Sequence, residues 1–310
     1  MQKASQEQMK IWIREKAFSL GFCTMGISRA EFLDEEARAL ENWLAGGLHG
    51  PMAYMKNHFE LRTDPRKLVP EAKSVISLGC NYFSPDIQPE GAYKISRYAY
   101  GRDYHDVIRK KLHGLFEFIQ TIEPGARGRV FVDSAPVMER AWAARSGLGW
   151  IGKNTNLISK EHGSFLFLGE IILNLEFAYD TPVENLCGTC TRCIDACPTK
   201  ALTPYTLDAR KCISCLTIEN KQAIPEMFKN SWRDWIFGCD ICQEVCPWNV
   251  KAKPHNEKEF QPLPEIASFR KSDWENLTKE DFERIFRPSP LWRAGHEGLE
   301  KNIRFLKNSE

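Results

Sequence analysis

The spacing of apolar and polar side chains predicts three helices and two strands in the first half of the chain. Apolar residues recur at helical intervals in 5–20, 31–45 and 103–122, and each stretch stops at a glycine or at a Glu-Pro-Gly turn. Two short runs, 74–79 and 128–133, are rich in β-branched and aromatic residues, which favours buried strands. This mixture predicts an α/β or α+β fold.

The chain after residue 133 carries signals for another helix and for close backbone contacts. Ser134 followed by Pro136 is typical of a helix start, so we expect a helix over about 134–144. Residues 147–154 contain three glycines, which predicts backbone that approaches another group closely. The stretch 164–175 predicts a pair of strand-like segments.

A sharp change in composition near residue 181, where cysteine becomes frequent, predicts a domain boundary. We expect an N-terminal α/β domain over 1–180, a ferredoxin-like module over 181–250, and a helical tail over 251–310 that packs on the core. With 310 residues, 43% of them apolar, the chain is long enough for this division.

The net charge of +1 conceals an uneven distribution. Residues 94–160 contain twelve Lys or Arg and six acidic residues, so this stretch alone is strongly basic. Such a surface suits phosphates or nucleic acid. The alternative is that these are solvated charges scattered over helices.

Nine of the eleven cysteines lie within 187–246, and seven of them form two ferredoxin-like runs: CGTCTRCIDACP at 187–198 and CDICQEVCP at 239–247. Soft thiolates at this spacing are typical of iron-sulfur clusters, and the cysteine before each proline ligates the other cluster. One predicted [4Fe-4S] cluster therefore has the ligands Cys187, Cys190, Cys193 and Cys246. The second takes Cys197, Cys239, Cys242 and either Cys212 or Cys215, between which spacing does not choose.

Zinc and disulfides are the alternatives to clusters. Zinc favours two CxxC pairs that close on four ligands, which differs from these runs. The polar N-terminus lacks a secretory signal pattern, and no apolar run approaches a membrane span, so we expect a cytoplasmic protein with reduced thiols and no membrane partner. We interpret Cys23 and Cys80 as buried apolar residues.

Several common electron acceptors leave sequence signatures that this chain lacks. It has no GxGxxG after a strand, no GxxxxGK[ST] and no CxxCH, which disfavours a nicotinamide Rossmann site, a P-loop and attached haem. Flavin, cobalamin and direct delivery to a partner protein remain. A non-catalytic electron carrier and a corrinoid reductase acting on a small halogenated molecule are therefore alternative hypotheses.

Long motifs spread over residues 8–250 resemble the epoxyqueuosine reductase family. The stretches that carry this resemblance are RYAYGRDYH (97–105), VDSAPVMER (132–140), SGLGWIGKN (146–154), GSFLFLGE (163–170), KCIS (211–214), LTIE (216–219) and FGCDICQEVCPWN (237–249). The resemblance implies a nitroreductase-like, cobalamin-processing-like N-terminal domain followed by a two-[4Fe-4S] module, an α+β fold in all. It also implies a short form without the C-terminal helical-repeat domain that many members carry, and it favours Cys212 over Cys215 as a ligand.

The implied activity is reduction of epoxyqueuosine to queuosine in a tRNA anticodon loop, the last step of queuosine synthesis, by a cobalamin-dependent oxidoreductase. Attack of reduced cobalt on the epoxide is the expected chemistry, with Asp133 as the proton donor in a dry pocket that raises its pKa. The alternative is that Asp133 or Ser134 only caps the following helix. We expect a monomer that receives electrons from an external donor such as a flavodoxin or ferredoxin. The candidate cobalamin contacts are Arg97, Tyr98, Asp133, Lys153, Asn154, Leu157 and Ser214.

Overall fold

The computed structural model describes residues 5–307, and the elements below lie in that range. The strands are β1 (Thr24–Arg29), β2 (Ser74–Asn81), β3 (Lys94–Ile95), β4 (Gly128–Phe131), β5 (Trp150–Ile151), β6 (Leu157–Ile158), β7 (Leu166–Leu173), β8 (Leu202–Thr203), β9 (Thr206–Leu207) and β10 (Trp235–Phe237). The longer helices are α1 (Gln6–Ser19), α2 (Asp34–Ala45), α5 (Tyr104–Ile122), α6 (Glu139–Arg145), α12 (Lys279–Phe286) and α13 (Gly295–Lys307).

The remaining helices are short. The α-helices among them are α3 (Phe59–Thr63), α4 (Pro65–Leu68), α7 (Arg192–Ala196), α8 (Ile213–Ile218), α9 (Ile241–Glu244), α10 (Pro264–Ser268) and α11 (Lys271–Glu275). Single turns of 3-10 helix occur at Ala53–Lys56, Arg97–Ala99, Glu226–Ser231, Pro247–Asn249, Lys258–Phe260 and Pro290–Arg293. Nowhere in residues 5–307 does a helix combine the length and the apolar character that a membrane span requires.

A four-stranded antiparallel sheet in the order β1-β2-β7-β4 forms the centre of the N-terminal half. Helices α1 and α5 cover one face, where Ile27, Ile76 and Ile171 are fully buried. Helix α6 covers the other face and packs on Val75 and Ile172. The predicted mixture of helices and strands is confirmed, and all three strand pairs of this sheet are antiparallel.

The cysteine module is small and packs against the helical tail. Its helices α7 and α9 contact each other, and each follows a cysteine-rich loop. Strand β10 pairs in parallel with β3, and a hydrophobic core joins this pair to α8 and the tail, where Trp274, Phe282 and Phe286 are buried. The domain boundaries stay a prediction, and the outermost residues of the first and third units, 1–4 and 308–310, lie outside the described residues.

The predicted helix at 134–144 starts late. Helix α6 begins at Glu139 with Met138 as its N-cap and no capping side chain, so the interpretation of Asp133 or Ser134 as a helix cap is wrong. Residues 132–138 instead form an irregular loop in which Asp133 has the left-handed φ of 49°. Strand β4 accordingly stops at Phe131, two residues before the predicted end.

Three further boundaries differ from the sequence prediction. Helix α2 starts at Asp34, three residues after the predicted 31, and β2 continues two residues beyond the predicted 79 to Asn81. The expected pair of segments at 164–175 is a single strand, β7. Strand β7 pairs with β2 without interruption at Gly169. Because Gly169 has no side chain, Ile108 and Leu112 of α5 approach the strand there.

Two glycines allow backbones to meet around α6. A Cβ on Gly149 would lie 2.1 Å from the carbonyl oxygen of Ile158, which confirms the close approach predicted for the glycine-rich stretch. On Gly26 of β1, a Cβ would lie 1.9 Å from the carbonyl oxygen of Ser146, directly after α6. Since backbone cannot yield as a flexible side chain does, Gly26 fixes how closely α6 packs on the sheet.

We expect Gly26→Ala to destabilise the protein by roughly 2 kcal/mol or more, because the added methyl group forces α6 away from the sheet. Gly114→Ala is the matched control: it lies within α5, its Cβ would meet only Leu20 at 3.9 Å, and alanine favours the helix by about 0.5–1 kcal/mol. The midpoint of thermal unfolding checks both variants. Equal midpoints would contradict the tight contact at Gly26.

Candidate active site

The first predicted set of cysteines surrounds one cavity. Cys187, Cys190, Cys193 and Cys246 all line a cavity of about 220 Å³, together with Trp248 and Lys153. Trp248 packs edge-to-face on the buried Trp150, with ring centroids 5.0 Å apart. The structure therefore brings together four thiols that are distant in sequence and surrounds them with apolar side chains.

The second set lines a larger cavity of about 340 Å³, which is within the volume range of small-molecule pockets. Cys197, Cys212, Cys239 and Cys242 all contribute to its wall, and so does Cys215. Within residues 5–307, no three His, Cys, Asp or Glu side chains converge closely enough to bind a single metal ion. The thiols of each set instead enclose a volume, and this donor arrangement fits a four-iron cluster.

Cys212 and Cys215 differ in their relation to the other thiols. Burial raises the pKa of Cys239, and charge on Cys212 and Cys197 would raise it further. Burial also raises the pKa of Cys215, to about 12, but Cys212 is the one thiol that adds to this shift. Both thiols line the second cavity, but Cys212 is the one whose charge acts on Cys239 and Cys242, which favours Cys212 as the ligand.

Three of the predicted cobalamin contacts lie together at the second cavity. Tyr98, Asn154 and Ser214 line it, and the side-chain amide of Asn154 donates to the carbonyl oxygen of Cys242 at 3.3 Å. These neutral hydrogen-bonding groups suit the peripheral amides of a corrin ring. Arg140, which the sequence analysis did not select, lines the same cavity and donates to the carbonyl oxygen of Thr155 at 2.6 Å.

Three of the other four candidates occupy different positions. Lys153 lies at the first cavity, where its Nζ donates to the carbonyl oxygens of Gly188 and Cys190 at 2.7 and 3.0 Å. Leu157 is buried in β6 and pairs with β5. Arg97 lines neither cavity, because its guanidinium forms ion pairs with Asp240 at 3.3 Å and with Glu244 at 2.5 Å. The structure does not bring Lys153, Leu157 or Arg97 to the second cavity.

Asp133 lies in a hydrogen-bonded network at the end of β4. Its Oδ2 accepts from the hydroxyl of Tyr104 at 2.9 Å and contacts Nε2 of His105 at 3.0 Å. The Tyr104 ring packs edge-to-face on Tyr98, with centroids 6.1 Å apart, and Tyr98 in turn lines the second cavity. With 56% of its side chain exposed, Asp133 remains accessible to a ligand next to this cavity.

The imidazole of His105 lies between two carboxylates. Its Nδ1 is 2.7 Å from Oδ1 of Asp103, whose other oxygen accepts from Arg293 at 3.2 Å. Two acceptors require a proton on both ring nitrogens, so the network favours charged His105. Burial opposes this charge, but the hydrogen bonds and charges of Asp103 and Asp133 outweigh it, and the pKa of His105 is raised.

The expected raised pKa of Asp133 is wrong. Burial would raise it, but the hydrogen bond and charge of His105 and the hydroxyl of Tyr104 dominate, so the pKa of Asp133 is lowered. Trp150 does not contribute to this pocket, because it packs with Ile158 and Cys246 beside the first cavity. The carboxyls with raised pKa values are its neighbours: burial and the Asp133 charge raise the pKa of Glu139 to about 8, and burial raises that of Glu170.

Sequence reasoning missed the residues that surround Asp133. Tyr104, His105, Glu139 and Glu170 all belong to the motifs that carry the family resemblance, but they received no role. A polar Glu170 in an otherwise apolar strand was a signal that could have been used, because a charge there must be compensated.

The basic stretch at 94–160 is less free than its sequence indicates. Within the part of the chain that the structure describes, half of its twelve cationic residues form ion pairs, often with acids outside the stretch. These are Arg97, Arg102, Arg109, Lys111, Arg127 and Arg145. Part of the local charge is therefore neutralised within the fold.

Family models match two segments of the chain. Residues 62–134 match the model described as epoxyqueuosine reductase QueG, DUF1730, and residues 186–249 match a 4Fe-4S double cluster binding domain. The second match contains both cysteine sets, so the predicted two-cluster module is confirmed.

Named relatives and solved structures cover nearly the whole chain. Epoxyqueuosine reductase from Cellulophaga algicola is 53% identical over 98% of this chain and 99% of its own length, and that from Leadbetterella byssophila is 54% identical over 97% and 98%. A structure of the Bacillus subtilis enzyme, with its catalytic aspartate loop swung out of the active site, superposes with a TM-score of 0.90 at 31% identity and covers 97% of this chain and 82% of that one. The chain belongs to the epoxyqueuosine reductase family of oxidoreductases.

Proposed function

We propose that this protein reduces epoxyqueuosine to queuosine in the anticodon loop of tRNA, with cobalamin and two [4Fe-4S] clusters as cofactors. The observation that carries the proposal is the position of Asp133, which is hydrogen-bonded, accessible, and joined through Tyr104 and Tyr98 to a cavity whose wall contains five thiols. This arrangement puts a source of protons beside a source of electrons. A solved epoxyqueuosine reductase bound to an epoxyqueuosine-modified tRNA stem loop, 32% identical with a TM-score of 0.87, supports tRNA as the substrate.

The eight cluster ligands follow the two cavities. Cys187, Cys190, Cys193 and Cys246 would hold one cluster, and Cys197, Cys212, Cys239 and Cys242 the other. Cluster binding deprotonates these thiols, which offsets the raised pKa that burial gives several of them. The second cluster is then the nearer one to Asp133.

Tyr98, Asn154 and Ser214 would hold cobalamin at the second cavity, and Arg140 offers a cation for its phosphate. Reduced cobalamin would supply a strong nucleophile toward the epoxide carbon, and the clusters would supply single electrons of low potential. Lys153 has a different role in this proposal, since it holds the loop that carries Cys190. Arg97 stabilises the second cysteine loop through Asp240.

Asp133 and His105 act together as the proton donor. Conversion of an epoxide to an alkene consumes two electrons and two protons and releases water, and the leaving oxygen must be protonated. A proton held at Nε2 of His105 can pass to Oδ2 of Asp133, 3.0 Å away, and from that carboxyl to the oxygen. Asp103 keeps the imidazole in the orientation that this transfer requires.

Other partners follow from the same scheme. A small external redox protein such as a flavodoxin or ferredoxin would deliver electrons one at a time to the clusters, and the enzyme would act as a monomer. The single-stranded loop of the tRNA would present its modified base splayed out, as proteins usually read such loops. Cations of the 94–160 stretch that form no ion pair, such as Lys110 and Lys160, are candidates for phosphate contacts within the described residues.

We expect Cys212→Ala to lower the iron bound per protein by about half, because one of two four-iron clusters loses a ligand. Cys215→Ala is the matched comparison, and it should retain the full iron content. Iron and sulfide analysis of anaerobically reconstituted protein checks both. The assignment fails if Cys215→Ala, and not Cys212→Ala, loses iron.

We expect Asp133→Ala to lower turnover of epoxyqueuosine-containing tRNA by about 100- to 10,000-fold, the usual contribution of a positioned general acid. Cobalamin binding, followed by its visible spectrum, and tRNA affinity should be unchanged. Asp106→Ala, at an exposed position in the first turn of α5, is the control. Full turnover by the Asp133 variant would remove this residue from the mechanism.

We expect Asp103→Asn to lower the pKa of His105 by removing a charged acceptor from Nδ1, whereas Asp106→Asn should not change it. In the folded protein the charged imidazole is favoured, so its stabilisation is complete below about pH 6.5 and is lost as the pH rises through the raised value. Turnover should fall over the same pH interval. NMR titration of the imidazole nitrogens checks the shift, and identical His105 titrations in both variants would contradict the network.

A further inference from the structure

A carboxyl group lies fully buried in the centre of the sheet, behind the Asp133 loop. Glu170 of β7 pairs with Ser77 of β2 on one side and with Phe131 of β4 on the other, and none of its surface is exposed. Among residues 5–307, no N–H or hydroxyl donor reaches either of its carboxyl oxygens, and the polar side chain beside them is another carboxyl, Glu139. An ionised carboxylate at such a position would be costly, so Glu170 needs either a proton or a compensating neighbour.

The carboxyl beside Glu170 is that of Glu139, the first residue of α6, and a second acid cannot compensate a negative charge. The chain leaves β4 at Phe131, opposite Glu170, and turns at Asp133 two residues later. The Glu139 carboxyl reaches back and accepts a hydrogen bond from the backbone N–H of Asp133. This contact links the pair of carboxyls to the backbone of Asp133, whose φ is in the left-handed region. In a residue other than glycine, surrounding contacts must hold that conformation.

Burial raises the pKa of Glu139 to about 8, and the charge of Asp133 adds to the effect. For Glu170, burial raises the pKa and the nearby Glu139 carboxyl raises it further. Glu139 is only half-buried, but two carboxyls that lie side by side still titrate as a pair, because the second charge must form next to the first.

The surrounding charges also favour one proton on the pair. The titratable and charged groups around it come from the loop, the start of α5, α6 and the tail, and they are Asp133, Asp103, Tyr104, His105, Arg140 and Arg293. Charged His105 and the two arginines carry three positive charges, and Asp103 and Asp133 carry two negative charges. One negative charge on the pair therefore makes the site neutral. A second would leave the site with an uncompensated negative charge.

We propose, resting on the function proposed above, that Glu139 and Glu170 hold one proton between them and that Glu139 is a positioning residue for Asp133. In this arrangement Glu139 fixes the Asp133 peptide, and protonated Glu170 supports Glu139 from behind. The Asp133 side chain then remains directed toward Tyr104 and His105.

The positioning role is tested by comparing Glu139→Ala with Glu139→Gln in the cluster-loaded full-length protein. Alanine removes the acceptor, so amide hydrogen exchange in residues 132–138 should accelerate and kcat should fall roughly ten- to hundredfold at unchanged KM for tRNA. Glutamine keeps a carbonyl oxygen and should restore slow exchange and most of the turnover. Glu71→Gln, an exposed partner of Arg127, is the control. Unchanged exchange and kcat in the alanine variant would overturn the proposal.

The shared proton is tested by infrared spectroscopy at neutral pH. The wild type should show the carbonyl-stretch band of a protonated carboxylic acid, and Glu170→Gln should change the intensity or position of this band while Glu71→Gln leaves it unchanged. If Glu170→Gln does not fold, the band should still change its position in Glu139→Gln. A wild type without the band would overturn the shared proton. Hydrogen exchange and the infrared band are both independent of turnover, so a protein that binds its clusters but does not convert epoxyqueuosine would refute the proposed function alone.

Discussion

The site depends on a fully buried carboxylate within the cysteine motif itself. Asp240 lies between Cys239 and Cys242, accepts hydrogen bonds from Ser96 Oγ and from the backbone N–H of Arg97, and is paired with the Arg97 guanidinium. Removing one partner of such a buried pair typically costs about 3–5 kcal/mol. Because Tyr98 follows directly in the chain, this contact fixes the wall of the second cavity relative to its thiols.

A second polar contact fixes the module to the central sheet. Asn249, three residues after Cys246, accepts from the backbone N–H of Ser164 at 2.7 Å and donates to the Ser164 hydroxyl at 2.9 Å. Gly163 has a left-handed φ of 68°, and a Cβ there would lie 2.1 Å from the Asn249 side chain. The polar residues of the cysteine motif thus set its position, while the cysteines determine what it can bind.

Local patterns predicted more of this protein than long-range contacts did. Cysteine spacing assigned seven thiols to two cavities, because one run carries four of them, the other carries three, and the cysteine before each proline belongs to the opposite set. The choice of Cys212 and the role of Asp133 came from resemblance, since spacing contains neither. The helix expected after Ser134 failed because a cap-like sequence does not reveal that Glu139 and His105 hold this segment as a loop. Arg97 was expected to contact a cofactor, and no local signal indicated that a carboxylate 143 residues away would pair with it.

The helical tail belongs to the site as well as to the core. Arg293, in the turn before α13, contacts Asp103, which orients His105, which in turn contacts Asp133. Each link is a charged hydrogen bond, and solvent weakens the two outer links because Arg293 and Asp133 are each about half exposed. The tail thereby stabilises the charged imidazole from the far side, so the proton donor is built from three distant parts of the chain. A carboxylate alone, at the lowered pKa of Asp133, would hold no proton near neutral pH, and the charged imidazole beside it supplies the proton that the carboxylate lacks.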